Sequence, residues 1–348
     1  MIDLLSLDKD ELAELLVSEY GEKRYRAKQI FSAIHSGVEL SEISTLSKEL
    51  RRKISETAYA HFPKIENKQV SRDGTVKYLF SLRDGNCIES VVMKYKHGNT
   101  ICISSQIGCA MGCVFCASCV GGRVRSLLPG ELIGQIISAQ KDTGERISNI
   151  VMMGIGEPLD NFDNVIKFLK LVGDEDGLNI GQRHISLSTC GLCEKIRELA
   201  DMKLGITLSV SLHASNDEKR SAIMPVNKKY PIAELMAACK YYYKSTHRRI
   251  SFEYTLISGK NDSREDALEL SELLNKKLRD GVDMPIHVNL IRLNEARSGL
   301  SAPELKRVDA FCKILEDHGI SATVRRKLGA DINAACGELR AIKNQQAL

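Results

Sequence analysis

Ser104-Ser105-Gln106-Ile107-Gly108-Cys109-Ala110-Met111-Gly112-Cys113-Val114-Phe115-Cys116 is the stretch whose reading decides the fold. Its C-x3-C-x2-C spacing brings three thiolates within reach of one metal centre, and the neighbouring glycines and phenylalanine supply no fourth donor. Structural zinc is normally closed by four ligands, whereas a cubane iron–sulfur cluster on three cysteines keeps one iron open to a substrate. Cys119 follows at another x2 interval and would complete a four-thiolate set suited to zinc. Both metals therefore stand open until the context of the motif is read.

The chain has 348 residues, 43% of them hydrophobic, enough for one large domain with an appendage or for two domains. Lysine plus arginine exceed aspartate plus glutamate by 49 to 45, a net charge of +4 that permits nucleic-acid binding without requiring it. The start Met1-Ile2-Asp3 lacks the basic-then-apolar run of a signal peptide, and no apolar stretch is long enough to span a bilayer, so a cytoplasmic protein is expected. There its 11 cysteines stay reduced and are available for metal or chemistry. Cys239 and Cys312 lie in helical patterns and read as packing residues.

Residues 8–16 and 26–34 read as short helices, and Arg24, Arg26, Lys28, Lys48, Arg51, Arg52 and Lys53 give this region a basic surface. From about Lys68 the pattern changes: residues 75–82 and 87–93, separated by Asp84-Gly85-Asn86, predict a β-hairpin. Candidate strands at 100–104, 147–153, 184–188, 206–211, 249–257 and 286–291 then alternate with helical segments such as 130–140 and 162–172. Most are rich in Ile, Val and Leu, as parallel strands covered on both faces should be. About six βα units suit an open, partial barrel better than the closed eight-stranded form.

In such folds the chemistry collects at the carboxyl ends of strands. The cysteine loop, Gly154-Ile155-Gly156-Glu157-Pro158, Ser188-Thr189-Cys190-Gly191, Ser211-Leu212-His213-Ala214 and Arg292-Leu293-Asn294 all fall there. The glycine pair admits close approach to an amino-acid-like ligand, and Ser188, Ser211 to His213 and Asn294 offer polar contacts. C-x3-C-x2-C with an aromatic residue before the last cysteine resembles the motif of radical S-adenosylmethionine (SAM) enzymes. That resemblance implies a [4Fe-4S] cluster on Cys109, Cys113 and Cys116, and SAM contacts from Gly156, Glu157, Ser188, Ser211, Leu212, His213 and Asn294.

Val324-Arg325-Arg326-Lys327-Leu328-Gly329-Ala330-Asp331-Ile332-Asn333-Ala334-Ala335-Cys336-Gly337 sharpens the resemblance. This segment, with Ile103-Ser104-Ser105-Gln106, Met153 to Pro158, Ser211 to Ala214, Met224 to Tyr230, Tyr25 to Ile30 and Asp73 to Phe80, is similar to the RlmN/Cfr family of radical SAM RNA methyltransferases over almost the whole chain. It implies an α/β fold: a radical SAM partial (β/α)6 barrel over residues 96–335 with a small N-terminal α-helical accessory domain, residues 1–65. A β-hairpin linker at 66–95 would carry Glu89, and a tail at 336–348 would begin with a methyl-carrying Cys336.

The chemistry implied is methylation of an adenine ring carbon. An amidine carbon such as C2 is electrophilic and will not attack the methyl group of SAM, so a radical route is needed. By resemblance Cys336 takes a methyl from one SAM, and a radical from a second SAM activates that S-methyl group, two SAM per turnover. Glu89 matches the family's base, and Cys102 a cysteine that resolves the adduct through a disulfide with Cys336. The implied substrates are adenosine at the peptidyl-transferase centre of 23S rRNA and the adenosine beside the anticodon of some tRNAs. Flavodoxin or ferredoxin would supply the electrons to a monomeric enzyme.

Pro158 and Lys228-Lys229-Tyr230 resemble the C2 branch of the family rather than the C8 branch. The chain departs from the family where the cluster motif usually continues C-A/S-T-G/A, having Ala117-Ser118-Cys119-Val120-Gly121-Gly122 instead, and at Cys190, where Ser or Ile is commoner. Besides the C2 enzyme, the alternatives are a C8 methyltransferase, a zinc-stabilised RNA-binding protein without catalysis and a radical SAM enzyme acting on a small molecule.

Overall fold

The computed structural model describes residues 1–294 and 299–332, so Cys336 lies outside the described residues. Its first helix, α1 (Lys9–Tyr20), opens with a capping box: Asp8 accepts from the N–H groups of Asp10 and Glu11, and the Glu11 side chain accepts from Asp8 N–H. It stops at Gly21, whose φ of 67° is a left-handed cap open to glycine without a Cβ penalty. Helices α2 (Arg26–His35) and α3 (Lys48–Thr57) follow. The segment is closed by a short parallel pair, β1 (Ile2–Asp3) with β2 (Ala58–Tyr59).

Next come β3 (Lys64–Val70), β4 (Val76–Ser81), β5 (Cys87–Tyr95) and β6 (Gly98–Cys102), each antiparallel to the one before. The hairpin is thus continuous with the main sheet. β3 escapes the hydrophobic pattern because it is an edge strand, exposed almost throughout and rich in Lys, Glu and Asn that discourage pairing with another chain. After β6 the chain forms a small ribbon, β7 (Gln106–Gly108) with β8 (Arg123–Ser126), whose connection carries the cysteine motif.

The parallel part runs from β6 through β9 (Ile147–Met152), β10 (Ile185–Thr189), β11 (Thr207–Ser211), β12 (Ile250–Leu256) and β13 (Ile286–Arg292) to a short β14 (Ser321–Val324). Helices α4 (Pro129–Thr143), α5 (Phe162–Leu171), α6 (Cys193–Asp201), α7 (Asp217–Ile223), α8 (Ile232–Thr246), α9 (Arg264–Glu272) and α10 (Leu305–Asp317) fill the crossovers. Six βα units and a terminal strand make the partial barrel. Ile, Leu, Val, Phe and Tyr side chains on the helix side of the strands form one buried core, which continues without a break into Leu4, Leu5, Ile30 and Phe31 of the N-terminal segment.

Close backbone packing fixes that junction. A Cβ on Gly130 would overlap the Asp3 carboxylate, and one on Gly134 would stand 2.6 Å from Pro63 Cδ. Gly130 N–H donates to Ser6 Oγ at 2.8 Å. Several basic residues of the N-terminal helices have acidic neighbours: Arg26 with Glu22, Lys28 with Asp176, Arg52 with Glu56 and Lys53 with Glu49. Exposed pairs of this kind add little stability, but they divide the basic surface.

Candidate active site

The cysteine loop and the glycine-rich loop are built into one another. Gly154 N–H donates to Ile103 O at 3.1 Å, Ser105 and Gln106 N–H donate to Ile155 O, and Ser104 Oγ accepts from Ile155 N–H at 3.0 Å. A Cβ on Gly154 would lie 2.6 Å from Ile103 O, and one on Gly156, whose φ is 107°, 2.6 Å from Gln106 Cβ. These glycines are required first by the approach of the two loops. From the helix side, buried Gln135 of α4 accepts from Ser104 N–H and Ser90 Oγ and donates to Ser104 O. No sequence motif marks Gln135.

Cys109 is buried just after β7, where a Cβ on Gly108 (φ 74°) would overlap the Gly122 carbonyl. Successive turns, Cys116 N–H to Cys113 O at 3.1 Å and Cys119 N–H to Cys116 O at 3.3 Å, bring the remaining thiols round. The four thiols crowd together, and the interaction with Cys119, followed by burial, pushes Cys109, Cys113 and Cys116 up. Among the described residues no three His, Cys, Asp or Glu side chains are spaced as a single-ion cage. The donor set is sulfur only, with Met111, Cys113 and Phe115 packed against Cys190, Ile223 and Met224. Soft thiolates in a largely apolar wall suit an iron–sulfur cluster, with Cys109, Cys113 and Cys116 as the residues that would hold it.

Glu157 is 3% exposed and bridges two strand ends, accepting from Leu159 N–H at 3.0 Å and Cys190 N–H at 2.7 Å. Burial raises its carboxyl above the usual range against those bonds. Ser188 pairs with Ser209 across β10 and β11, half-buried. Ser211 ends β11, Leu212 is fully buried and offers only its backbone, and Asn294 is exposed beyond β13.

His213 takes a left-handed φ of 55° and lies edge-on to Phe115 at 4.9 Å. Its Nδ1 accepts from Thr255 N–H at 2.9 Å, so the neutral ring carries its proton on Nε2. Burial, and then the Arg220 charge, push it down to about 3. Asn261, unmarked in the sequence, ties His213 O to Thr255 O and Ile257 N–H.

The sheet face away from the helices changes character along its width. Lys77, Val91, Cys102 and Val151 are direct neighbours across β4, β5, β6 and β9. Val91, Met93 and Cys102 pack with Val151, Met153 and Leu328. Glu89, two residues before Val91, shares this face. It is 4% exposed, and Lys77 Nζ, itself 0% exposed, stands 3.9 Å from its Oε2. Toward β11–β13 the face turns polar, with Ser209, Ser251 and Glu253 buried and Asn289 donating to Glu253 at 2.7 Å.

The segment that leads to Cys336 is fastened beside this wall. Gly329 N–H donates to Asp73 Oδ2 at 2.8 Å, and Asp331 accepts from Ser71 Oγ at 2.5 Å and Arg72 N–H at 3.1 Å. Cys336 follows Asp331 by five residues, a reach of at most ~18 Å. No two described cysteines form a disulfide; the pair expected from sequence, Cys102 with Cys336, involves a residue outside the described ones. No described helix is long and apolar enough to cross a membrane.

Comparison with known proteins adds the following. Residues 103–271 match the radical SAM superfamily, and residues 2–60 match the ribosomal RNA large subunit methyltransferase N-terminal domain. A protein of Alkaliphilus oremlandii named probable dual-specificity RNA methyltransferase RlmN is 54% identical over 97% of this chain and 97% of its own length. One of the same name from Clostridium novyi is 52% identical over 98% of both. The crystal structure of a radical SAM methyltransferase from Sphaerobacter thermophilus superposes with a TM-score of 0.91 at 40% identity, covering 97% of this chain and 99% of that one.

Proposed function

The chain belongs to the RlmN family of radical SAM methyltransferases, and from that premise we propose that it methylates C2 of adenosine in 23S rRNA at the peptidyl-transferase centre, and C2 of the adenosine beside the anticodon of tRNA, in the cytoplasm. The observation that carries the reading is the shared wall: Glu89 and Cys102 on one face of the sheet, with Leu328, eight residues before Cys336, packed against the cluster of Val91, Met93 and Cys102. A base and a second thiol beside the root of the methyl-carrying segment are what release of a thioether-linked adenine requires.

When bound, the [4Fe-4S] cluster supplies the electron that splits SAM into methionine and a deoxyadenosyl radical. Cys109, Cys113 and Cys116 hold it. Neutral His213 presents an Nε2–H to the cofactor, and the ends of β9, β10 and β11 floor the site through Gly156, Glu157, Ser188, Ser211 and Leu212, with Asn294 at its rim. The Cys336 thiolate would take a methyl group from one SAM; loss of a hydrogen atom from that S-methyl group to the radical derived from a second SAM would let its carbon bond to the adenine carbon, and the adduct would give up its unpaired electron to become closed-shell. Glu89 accepts the proton from the ring carbon of the adduct. The Cys102 thiolate then attacks the Cys336 sulfur, forming a disulfide as the carbon–sulfur bond breaks and the released carbon takes a proton. A flavodoxin- or ferredoxin-type donor supplies the electrons, and the enzyme acts as a monomer.

RNA of this kind is recognised largely by shape and by unstacking the target base, which suits a divided basic surface on residues 1–65. Mass spectrometry of nucleosides from 23S rRNA and tRNA incubated with enzyme, SAM and reductant tests the proposal. It expects 2-methyladenosine in both; 8-methyladenosine alone would overturn it.

A further inference from the structure

Arg220 of α7 is 0% exposed, yet its side chain is surrounded by neutral acceptors. Nε donates to Leu212 O at 3.2 Å, Nη1 to Asn227 Oδ1 at 2.8 Å and Tyr230 O at 3.3 Å, and Nη2 to Cys190 O at 2.7 Å and Ser211 O at 3.2 Å. Among the described residues no carboxylate lies within ion-pair distance. Asp217 is reached only through Asn227, whose Nδ2 donates to Asp217 Oδ1 at 2.9 Å. Burying a charge without a direct counter-ion is costly even when its hydrogen bonds are satisfied.

The surroundings say what that charge is next to. Three of the five accepting carbonyls, those of Cys190, Ser211 and Leu212, stand at the ends of β10 and β11. The last residue of α7, Ile223, accepts from Val114 N–H at 3.0 Å, inside the cysteine motif, and Pro225 lies 3.4 Å from where a Gly112 Cβ would be. The guanidinium is thus hydrogen-bonded directly to Cys190, and the cluster of Cys190, Ile223 and Met224 has Met111, Cys113 and Phe115 of the cysteine loop packed against it.

We infer that Arg220 is a positioning residue of the radical centre: its donors set the strand ends that floor the SAM site, and its unneutralised charge raises the reduction potential of the cluster held by Cys109, Cys113 and Cys116. The inference rests on the proposed assignment of that loop to the cluster. Reduction adds negative charge to the cluster, and a nearby buried cation, weakly screened, stabilises the reduced form.

Wild type, Arg220→Gln and Arg220→Lys are reconstituted anaerobically, assayed for iron and sulfide, titrated potentiometrically with EPR detection in the absence of SAM, and titrated with SAM. The Gln variant should take up four irons, show a midpoint more negative than wild type and bind SAM about tenfold more weakly, as expected for lost buried hydrogen bonds. The Lys variant should keep the wild-type midpoint while sharing the weaker SAM binding, because it keeps the charge and loses the fork of donors. A Gln midpoint equal to wild type, or a Lys midpoint that follows Gln, overturns the inference. Should the Gln variant not load, the Lys midpoint decides alone; if neither variant loads while wild type does, Arg220 is structural only and the inference fails. A wild-type protein that takes up no iron would instead sink the cluster assignment itself.

Discussion

The cysteine loop, carried on the β7–β8 ribbon, and the wall of the main sheet that carries Glu89 draw on the chain over very different ranges. Around the cysteines, Ile103 to Gln106 meet Gly154 to Glu157 through a series of backbone bonds, and every turn from Cys113 to Cys119 is local. The wall is assembled from Lys77, Glu89, Cys102 and a segment fastened by bonds spanning 256 and 260 residues. One region is held by many backbone hydrogen bonds; the other is mostly apolar around the buried pair of Lys77 and Glu89. Short-range structure suits a centre whose ligands must be fixed before the cofactor arrives. Long-range structure suits a place where a separate segment has to meet a substrate.

If the two regions divide the work, removing a ligand should abolish everything and removing a wall residue only part. Cys113→Ala is expected to lose its iron and with it all SAM cleavage and all RNA methylation, read by iron content and deoxyadenosine release. Cys336→Ala should keep the iron and lose every trace of methylated adenosine; residual product would reassign the chain to chemistry that does not pass through that thiol.

Cys102→Ala should still cleave SAM but release no product, leaving RNA covalently attached to protein on a denaturing gel; normal release would remove the resolving role. Asp331→Ala, which breaks the fastening to Ser71 and Arg72, should lower methylation by about 10- to 100-fold through misplacement of the Cys336 segment with the cluster content unchanged. An unchanged rate would detach the fastening from catalysis.

The smallest effect is expected far from both regions. His35 is buried against Phe31, with ring centroids 4.0 Å apart, and neither ring nitrogen has a hydrogen-bond partner. Burial pushes it down to about 4. Its ring is neutral in both folded and unfolded chains above about pH 6.5; as the pH falls toward 4 the unfolded chain takes up a proton first, and stability drops by up to about 3 kcal/mol. His35→Phe should flatten that limb in denaturant titrations without touching methylation.

The same contrast explains what could be read in advance. The six parallel strands were visible because both faces, or nearly so, are buried and the residues are Ile-, Val- and Leu-rich, and the cysteine spacing is local. β3 and β14 are polar edge strands and left no hydrophobic pattern. Arg220 sits in Asp217-Glu218-Lys219-Arg220, which reads as a solvated helix start, and only the tertiary fold turns its guanidinium inward. Lys77 did leave a signal: a lysine between Val76 and Tyr78 in a strand otherwise apolar on both faces needs a buried partner, and Glu89 is on the adjacent strand. Apart from the family resemblance, nothing in the sequence around Glu89 marks it as buried. It pairs with Leu79 on β4, and its carbonyl accepts from Ser104 Oγ just past the end of β6.

The division between radical generation and methyl transfer is tested most directly in Glu89→Gln, by following deoxyadenosine release and 2-methyladenosine formation in the same anaerobic reaction. The account predicts deoxyadenosine at the wild-type rate while 2-methyladenosine falls by on the order of 10²- to 10⁴-fold, the usual contribution of a positioned base. If both fall together, or neither does, Glu89 does not belong to the transfer step and the two regions do not divide the reaction as described.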